Sequence, residues 1–482
     1  MKKKFLKFSA LVCAVLCLCA LFTGCGTSTP TVVRSGGTDA VWTMGFASEE
    51  IAIPQDDSQP YYIAGYNNGW KPDGVLDLCR ASAVWMDTGD GGVLLIGIDC
   101  VGLGGTDINE IRDRLASFCK QTGCTAVNVY STHTHAGVDT LGLWGPTMVN
   151  GKNDEYTENL MNAAVAAAKQ AYENRTEGRL YIGQSEVPAY AFRDSRLPEV
   201  YDPNLYQIRF APTDASRSGI RMYLFGAHAE SLRGSNTFIS RDFPSVLCDT
   251  ITETTGDDAM FMAGAIGGLI MTQVLDSSGY QYNMHVTGDL LVEHALSITP
   301  AQERELLPVL QYATTEFELP LDNVGYMIYK FLGILENEVH RDPDSATGYG
   351  LTSEMTLLQL GDALFCLMPG EIFPELVWGG EYGDANPDGK QDPNGAENPA
   401  PLAEIAAGYG YDQLLVVGLS NDELGYIVSP SDFLVNPKAP YLLNIEDYKF
   451  ENHYEETNSV GPQTAPIIAD VFAQLCAALA ED

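Results

Sequence analysis

The sequence predicts an α/β fold, a single large domain in which mixed β-sheets are flanked by helices. Short apolar runs typical of buried strands alternate along the chain with longer segments of helical spacing. No linker separates residues 41–482 into two parts. The composition is 45% hydrophobic and 10% aromatic, so the chain can bury a substantial core.

Buried strands are predicted where apolar runs are short and bounded by turn residues. They cover residues 91–103, 126–131, 179–187, 205–212, 219–228, 259–265, 355–370 and 412–419. The segment 355–370 contains two strands, because Gly361 and Asp362 form a turn signal in its middle.

Helices are predicted where apolar residues recur at helical spacing. They cover residues 106–123, 153–175, 286–298, 323–338 and 464–480. The first of them has a threonine, Thr106, as its cap and a glycine, Gly123, at its end. The order of the elements predicts sheets of mixed strands without an internal repeat.

The N-terminus predicts a targeting segment. Four lysines precede an apolar run over residues 8–22 that is too short for a comfortable membrane span, and Gly24 then precedes Cys25. This arrangement resembles the signal peptide of bacterial lipoproteins over residues 1–25, with a lipid on Cys25; an ordinary secretion signal or a retained anchor are the alternatives. The small, polar residues 26–40 are expected to form a flexible tether. The expected location is therefore the extracellular face of the bacterial cell membrane.

Charge and cysteine content exclude several classes of function. The net charge is −37, and without the four signal lysines it is −41, from 64 acidic and 23 basic residues. A surface this acidic repels phosphate backbones, so no nucleic-acid partner is expected, and no protein partner is predicted either. The seven cysteines after Cys25 show no metal-binding or disulfide spacing and are expected to be free thiols, many of them buried.

A polar insertion over residues 383–401 has a partial calcium-loop pattern. Oxygen ligands and a glycine fall at the early positions of such a loop, at Asp384, Asn386, Asp388, Gly389 and Asp392. The twelfth position is Gly395, where a calcium loop needs a bidentate acid. A surface loop rich in turn-forming residues is the preferred interpretation, and a weak calcium site at 384–395 is the alternative.

Polar residues follow several of the predicted strands at the point where each strand ends. They are His133, His135, His228, Glu371 and Tyr426. Ligands collect where strands of an α/β sheet end, and on an extended backbone residues i and i+2 point to the same side. Two imidazoles and a carboxylate are typical of a catalytic zinc shell that leaves one position for water. For either histidine alone, a packed structural role would be the simpler interpretation.

The same segments carry a resemblance to a known family. The stretch "STHTHAG" (131–137) is similar to the "THTHSG" stretch of the neutral, non-lysosomal ceramidases. The resemblance continues in order over residues 41–470, through the "AGYNNGW", "AHAESLRGSNTFISRDFPS", "LMPGEIF", "GLSNDELGYIV" and "HYEETNSVGP" segments. That family has an α/β zinc hydrolase domain that cleaves the amide of N-acylsphingosine. The implied architecture is its catalytic domain without the C-terminal Ig-like domain.

The resemblance also implies roles for individual residues. The zinc ligands would be His133, His228, Glu371 and Tyr426. In the mechanism that we expect, Tyr426 would complete this shell or stabilise the oxyanion from within it. His135 would act as acid/base or transition-state stabiliser at the scissile amide. Arg193 would orient the substrate, with a surface salt bridge as the nearly equal alternative.

One segment departs from the family pattern. The family has a "G-D-x-S-P" stretch with a catalytic serine, whereas this chain has Gly268 in place of the aspartate and Ile270 in place of the serine. A mechanism that depends on that serine is excluded at this position. Leu269, Ile270 and Met271 are expected to line the pocket instead and to change substrate choice.

The function that the sequence predicts is therefore a zinc-dependent hydrolase in which metal-activated water cleaves the amide, or an ester, of a lipid-like N-acyl substrate. The alternative is a non-catalytic lipoprotein that binds a ligand on the same scaffold. A purely structural surface protein ranks third. Asp242 would either support His228 or cap a helix that begins at Phe243. His285, His294 and His340 are expected to be surface or helix-end residues, and His453 matches no ligand position.

Overall fold

Two β-sheets pack face to face at the centre of the protein, and helices cover their outer faces. The computed structural model describes residues 28–37, 39–55, 58–89, 91–273, 280–380, 396–447 and 452–481. Residues 1–25, which form the predicted signal peptide, and the calcium-like loop 384–395 lie outside the described residues, so both stay predictions.

The strands and helices are numbered here in chain order. The strands are β1 (Thr31–Gly36), β2 (Trp42–Glu50), β3 (Gly74–Val75), β4 (Arg80–Asp87), β5 (Gly92–Ile98), β6 (Cys124–Ser131), β7 (Thr176–Glu186), β8 (Phe192–Arg193), β9 (Asn204–Pro212), β10 (Ile220–Phe225), β11 (Phe238–Ile239), β12 (Asp258–Ala263), β13 (Met271–Thr272), β14 (Arg304–Leu306), β15 (Val309–Pro320), β16 (Val339–Arg341), β17 (Tyr349–Leu360), β18 (Ala363–Leu367), β19 (Glu371–Ile372), β20 (Leu414–Val417) and β21 (Tyr426–Ile427). The helices are α1 (Gly105–Thr122), α2 (Asp154–Glu173), α3 (Phe243–Thr255), α4 (Tyr280–Ser297), α5 (Val324–Phe331), α6 (Pro374–Trp378), α7 (Leu402–Gly408) and α8 (Thr464–Ala480).

Both large sheets are mixed, as predicted. The nine-stranded sheet has the order β12-β10-β9-β7-β2-β4-β5-β6, with β14 also paired to β7. The six-stranded sheet has the order β1-β15-β17-β18-β20, with β16 also paired to β17. Parallel pairs (β5 with β6, β10 with β12, β18 with β20) occur among antiparallel ones.

The core between the sheets follows from strand alternation. Trp42, Met44 and Ile208 of the nine-stranded sheet pack with Leu358 and Phe365 of the six-stranded sheet, and all five are buried. Successive side chains of a strand point to opposite faces, so the other residues of the same strands face the helices. The result is a four-layer arrangement with helices outside two sheets.

The helices cover the sheets with apolar faces at helical spacing. Helix α1 buries Ile108, Ile111 and Leu115 against the nine-stranded sheet, and α2 packs an alanine-rich face beside it. Helix α8, at the predicted bounds, covers the six-stranded sheet with residues that include Phe472 and Leu475.

Two predictions of local structure were wrong. The flexible tether over residues 26–40 contains β1, which pairs antiparallel with β15, because Thr31, Val32 and Val33 are β-branched residues that fit a half-buried strand. The helix predicted over 323–338 ends at Phe331, since Gly333 adopts a left-handed backbone (φ 69°) that terminates it, and β16 follows.

The cysteines are free, as expected. Among the described residues, all seven cysteines after Cys25 are unpaired and five of them are buried. In the same part of the chain, we find no helix with the length and apolar character needed to cross a bilayer.

Candidate metal centre and substrate cavity

The four candidate metal ligands lie at the ends of strands or just after them. His133 follows β6, His228 follows β10, Glu371 begins β19 just after β18, and Tyr426 begins β21 after β20. Glu371 lies directly opposite Tyr426 in the parallel β19–β21 pair. The structure thus brings these four residues together at strand ends, where the sequence placed them.

The two ends of the large sheet are in contact with each other. The edge strands β6 and β12 come into contact, and the Tyr130 hydroxyl donates to the Phe261 carbonyl at 2.8 Å. Beyond the strands, the backbone N–H of His135 donates to the Ala229 carbonyl at 3.0 Å. The loop after β6 therefore runs beside the loop after β10, and this contact places His133 near His228.

The backbone at His133 is left-handed (φ 62°), which is uncommon for a residue other than glycine. Such a conformation costs about 1–3 kcal/mol and persists only where surrounding contacts hold it. Here the Ser131 N–H donates to Leu419 O at 3.1 Å and the His135 N–H donates to Ala229 O, one on each side. The two rings meet because of this turn, not because of the extended backbone that the sequence suggested.

Two histidines present Nε2 to the centre of the site. The Nδ1 of His133 donates to the Val101 carbonyl at 2.6 Å, and the Nδ1 of His228 donates to the Ile270 carbonyl at 2.8 Å. A carbonyl partner requires a proton on Nδ1, so Nε2 is the nitrogen that each ring has available to bind a metal. Metal-bound histidines in proteins are oriented by this kind of hydrogen bond.

Glu371 completes a cluster of electron donors. Its Oε2 lies 2.9 Å from Nε2 of His228 and 3.4 Å from Nε2 of His133. Three lone-pair atoms this close repel one another unless a cation or protons lie between them. The donor set therefore fits a metal ion, and nitrogen and oxygen ligands in this number suit zinc.

The charges of the cluster shift two pKa values. Burial by itself favours the neutral form of Glu371, but His133 and His228 hold its pKa well below the usual range. Burial also opposes the charge on His228, yet the hydrogen bond and negative charge of Glu371 raise its pKa. The site favours a carboxylate next to positive charge, which a bound cation supplies.

His135 is the third imidazole of the site. Its Nε2 lies 3.0 Å from Nε2 of His133, and one ring nitrogen from each of His133, His135 and His228 lies within 4.8 Å of the others. Burial, followed by the neighbouring His133 and His228, lowers the pKa of His135 well below its ordinary value. The ring is therefore neutral, and its Nδ1 has no hydrogen-bond partner among the described residues.

Two of the three imidazoles, those of His133 and His135, line a cavity of about 380 Å³ whose wall is mainly apolar and aromatic. His133, His135, Glu371 and Tyr426 form part of this wall. The apolar lining comes mostly from residues far apart in sequence, including Leu143, Trp144, Leu321, Tyr326, Leu351 and Val460. The cavity fits a substrate with a sizeable apolar part.

The sequence analysis did not predict three residues at or near the cavity: Tyr66, Glu230 and Glu423. The Tyr66 hydroxyl donates to Oε2 of Glu230 at 2.5 Å, and the same Oε2 lies 3.6 Å from Nδ1 of His135. Glu423 lines the cavity, and its Oε2 has no hydrogen-bond partner among the described residues. Glu230 follows His228 by two residues, so the spacing argument applied to His133 and His135 could have found it.

Arg193 and the segment 269–271 do not reach the cavity wall. Arg193 is exposed on the short strand β8, paired with Met271. The expectation that Leu269, Ile270 and Met271 line the pocket was wrong: Ile270 is fully buried in an apolar cluster, and none of the three is in the cavity wall. Ile270 contributes its backbone carbonyl, which orients His228.

Asp242 caps a helix and does not support His228. Its carboxylate accepts hydrogen bonds from the N–H groups of Phe243, Ser231 and Leu232, at 2.6–3.1 Å. The Nδ1 of His228 is already bonded to Ile270 O. Of the two roles that the sequence left open for Asp242, the structure has the helix cap.

Among the remaining histidines, His285 is exposed, and His340 and His294 contact Glu318 and Ser185 near the surface. His453 is different. It is buried, and its Nδ1 lies 2.7 Å from Glu456. His453 therefore belongs to a buried polar contact and is not part of the cavity wall.

A buried arginine, Arg196, holds three acidic side chains beneath the cavity. Its guanidinium lies 2.5 Å from Asp432, 2.7 Å from Glu455 and 3.2 Å from Glu456. Glu455 directly follows Tyr454, which lines the cavity. This network joins the segment after β8 to the chain near residues 430 and 455.

The nearby Glu375 provides a test of burial in this region, because Glu375→Gln is expected to stabilise the protein more at pH 8 than at pH 5. Burial raises the pKa of Glu375 from 4.5 to about 7, although the Ser429 hydroxyl donates to it at 2.6 Å and Arg196 attracts it. Between these two pKa values only the unfolded chain has released the proton, so wild-type stability falls as the pH rises through this window. Glutamine does not titrate. The free energy of unfolding of Glu375→Gln, relative to that of the wild type, is therefore expected to rise by about 1–3 kcal/mol between pH 5 and pH 8.

Urea unfolding at pH 5, 6, 7 and 8 measures this difference. The matched control is Glu404→Gln on the exposed side of α7. A difference for Glu375→Gln that stays constant from pH 5 to pH 8 would contradict the role of burial.

The described fold is similar to solved ceramidase structures. Neutral ceramidase from Pseudomonas aeruginosa matches with a TM-score of 0.68 and 15% identity, over 92% of this chain and 75% of that chain. A ceramidase complexed with C2 matches with a TM-score of 0.67 and 15% identity, over the same shares. No protein-family model matches the sequence, and no curated protein matches it either. The α/β fold is therefore neutral-ceramidase-like, as predicted, and at this identity the likeness concerns the fold.

Proposed function

We propose that this protein is a zinc-dependent hydrolase that cleaves the amide, or an ester, of a lipid-like N-acyl substrate. One observation carries the proposal: two histidines oriented through Nδ1 and the carboxylate of Glu371 direct their lone pairs to one point at an apolar cavity. His133, His228, Glu371 and Tyr426 would hold the ion. When bound, zinc supplies a water with a pKa of about 7 and polarises the carbonyl.

His135 carries the proton of the reaction. In hydrolysis the water oxygen bonds to the acyl carbon, the C–N bond breaks, and the amine leaves with a proton. A neutral imidazole with a free Nδ1 accepts a proton and then returns it to the leaving amine. Glu230 lies 3.6 Å from this Nδ1 and stabilises the charged form.

Tyr426 keeps its proton as long as it is not bound to the ion. Burial first, and then the negative charge of Glu371, raise its pKa well above the ordinary value. A neutral phenol donates a hydrogen bond, and an oxyanion that develops in the cavity is a suitable acceptor.

The route needs no side-chain nucleophile from the segment 268–272. Ile270 is buried, and the only nearby hydroxyl in that segment, Thr272, is buried and lies 3.1 Å from the hydroxyl of Ser231. Direct attack by water is the mechanism that is compatible with this arrangement.

The substrate class follows from the cavity and the neighbours. The wall is mainly apolar, and the solved proteins of similar fold are ceramidases, one of them complexed with C2. These points support an N-acyl substrate with an apolar chain.

We further propose that a lipid on Cys25 holds the protein on the extracellular face of the bacterial cell membrane. The lysines, the apolar run and the small residue before Cys25 support this placement. The acidic net charge supports a small-molecule or lipid-like partner over nucleic acid.

A second candidate is a binding protein that uses the same metal without turnover. The loss of a hydroxyl at Ile270 favours it, because no side chain from that segment reaches the cavity. Metal binding is common to both candidates, and only hydrolysis separates them.

The test compares the purified wild type with a His133→Ala, His228→Ala double variant and with a His285→Ala, His340→Ala control. Zinc is measured by mass spectrometry, and hydrolysis is measured on N-acyl amides and esters. We expect about one zinc per chain in the wild type and control, and none in the double variant. Zinc without turnover would favour the binding protein, and no zinc in any of the three would overturn both candidates.

A further inference from the structure

Exposed apolar side chains surround the mouth of the cavity. Tyr66 and Tyr454 belong to the cavity wall and are also 38% and 42% exposed, so they mark where the cavity opens. Around them lie six large apolar side chains that are 41–76% exposed, which we name the apolar collar: Trp70, Met148, Val149, Phe331, Leu442 and Leu443.

The collar is assembled from segments that touch one another. The Asn68 side chain donates to Leu143 O at 2.7 Å, and the Asn150 side chain donates to Gly333 O at 2.9 Å. A Cβ placed on Gly325, in the first turn of α5, would lie 3.8 Å from Leu442. These contacts join the loops that carry Trp70, Met148, Phe331 and Leu442 into one rim.

The same segments also build the cavity wall. Asn68, Trp144 and Tyr329 line the cavity, and each is within four residues of a collar residue. The collar is therefore the outer continuation of the substrate cavity. A contiguous exposed apolar surface of this kind marks an interaction site.

Its composition suits a lipid surface. Aromatic residues, leucine and methionine at loop tips enter the boundary between headgroups and acyl chains. The chain carries a net charge of −37, which disfavours approach to anionic headgroups. A zwitterionic bilayer is thus the expected surface.

The position of the chain before β1 supports the same orientation. Ser28 donates from its backbone N–H to Glu316 O at 3.2 Å, on strand β15, and β15 leads within five residues to Leu321 in the cavity wall. The described chain therefore enters β1 from the side of β15 that leads to the cavity.

We propose that the apolar collar docks on a zwitterionic lipid bilayer and that the cavity takes its substrate directly from the membrane. The docking stands on the collar itself, and only the uptake of substrate rests on the proposed function. Binding to vesicles and hydrolysis are therefore measured separately.

The experiment uses residues 28–482, which keep every described residue and remove the proposed lipid anchor. Co-sedimentation with phosphatidylcholine vesicles compares the wild type with a Phe331→Ser, Leu442→Ser, Leu443→Ser variant. The matched control is Tyr190→Ser, Leu296→Ser, Leu307→Ser, which changes side chains that are 66%, 44% and 69% exposed and lie outside the cavity wall.

We expect the vesicle partition coefficient to fall at least about tenfold in the collar variant and to stay within about twofold in the control. Vesicles that contain phosphatidylglycerol should bind the wild type no more tightly. Equal binding by the two variants would overturn the proposal, and so would a wild-type dimer that the collar variant alone abolishes. Hydrolysis of a short, soluble N-acyl substrate should be unchanged in the collar variant. If the wild type binds vesicles but hydrolyses no substrate, the proposed function is refuted and the docking is not.

Discussion

A His135→Ala variant is expected to keep its zinc and to lose about 10²–10⁴-fold in kcat. The proposed zinc shell is complete without this residue, because Glu371 contacts both His133 and His228. His135 has a free Nδ1 that faces Glu230, which suits proton transfer better than ligation. Loss of the imidazole should therefore remove the proton carrier and leave the ion in place.

Zinc content and steady-state kinetics on the same preparation measure this prediction. The control is His340→Ala, a partly exposed histidine near Glu318. The three imidazoles are close enough for all of them to bind a metal. If His135→Ala lost its zinc together with its activity, His135 would be a ligand and the assignment of Glu371 and Tyr426 would need revision.

The Arg196→Met variant is expected to lose about 3–5 kcal/mol of folding stability, which is typical when one partner of a buried ion pair is removed. Arg196 is 3% exposed, and its guanidinium is the common partner of Asp432, Glu455 and Glu456. Methionine has a similar stem but no charge. The variant would leave three acidic groups buried with only His453 beside them.

Urea unfolding at pH 7.5 measures the loss, with Arg193→Met as the control. Arg193 lies three residues away and is exposed, so its substitution should change stability by less than about 0.5 kcal/mol. The same control also tests whether Arg193 orients the substrate, through KM. Equal stability of the two variants would show that the Arg196 network contributes little to folding.

Much of the fold could be predicted from local patterns. Strands such as β6, β10 and β18 are apolar runs of strand length, and α8 has its predicted bounds because its apolar residues repeat at helical spacing. These properties depend on neighbours in sequence. The polar residues that follow the strands were predicted for the same reason, since a change from apolar to polar residues marks the end of a buried strand.

Other features depend on contacts between distant segments. Residues 31–36 looked like a tether because nothing local shows that β15, nearly 280 residues later, accepts them as an edge strand. Ile270 was expected in the cavity, but the turn after β12 places its side chain in the core and its carbonyl against His228.

The sequence by itself determined the fold class, most of the strand ends and the kinds of side chain that stand there. The tertiary structure decided which of those ends meet: contact between the edge strands β6 and β12, with the hydrogen bond from Tyr130 to Phe261, brings His133 to His228. It also decided that Arg196, and not Arg193, is buried, because the acidic partners come from Asp432, Glu455 and Glu456. Strand and helix patterns repeat over a few residues. Contact between the edge strands and charge pairing instead join residues more than 100 positions apart, and no local pattern encodes them.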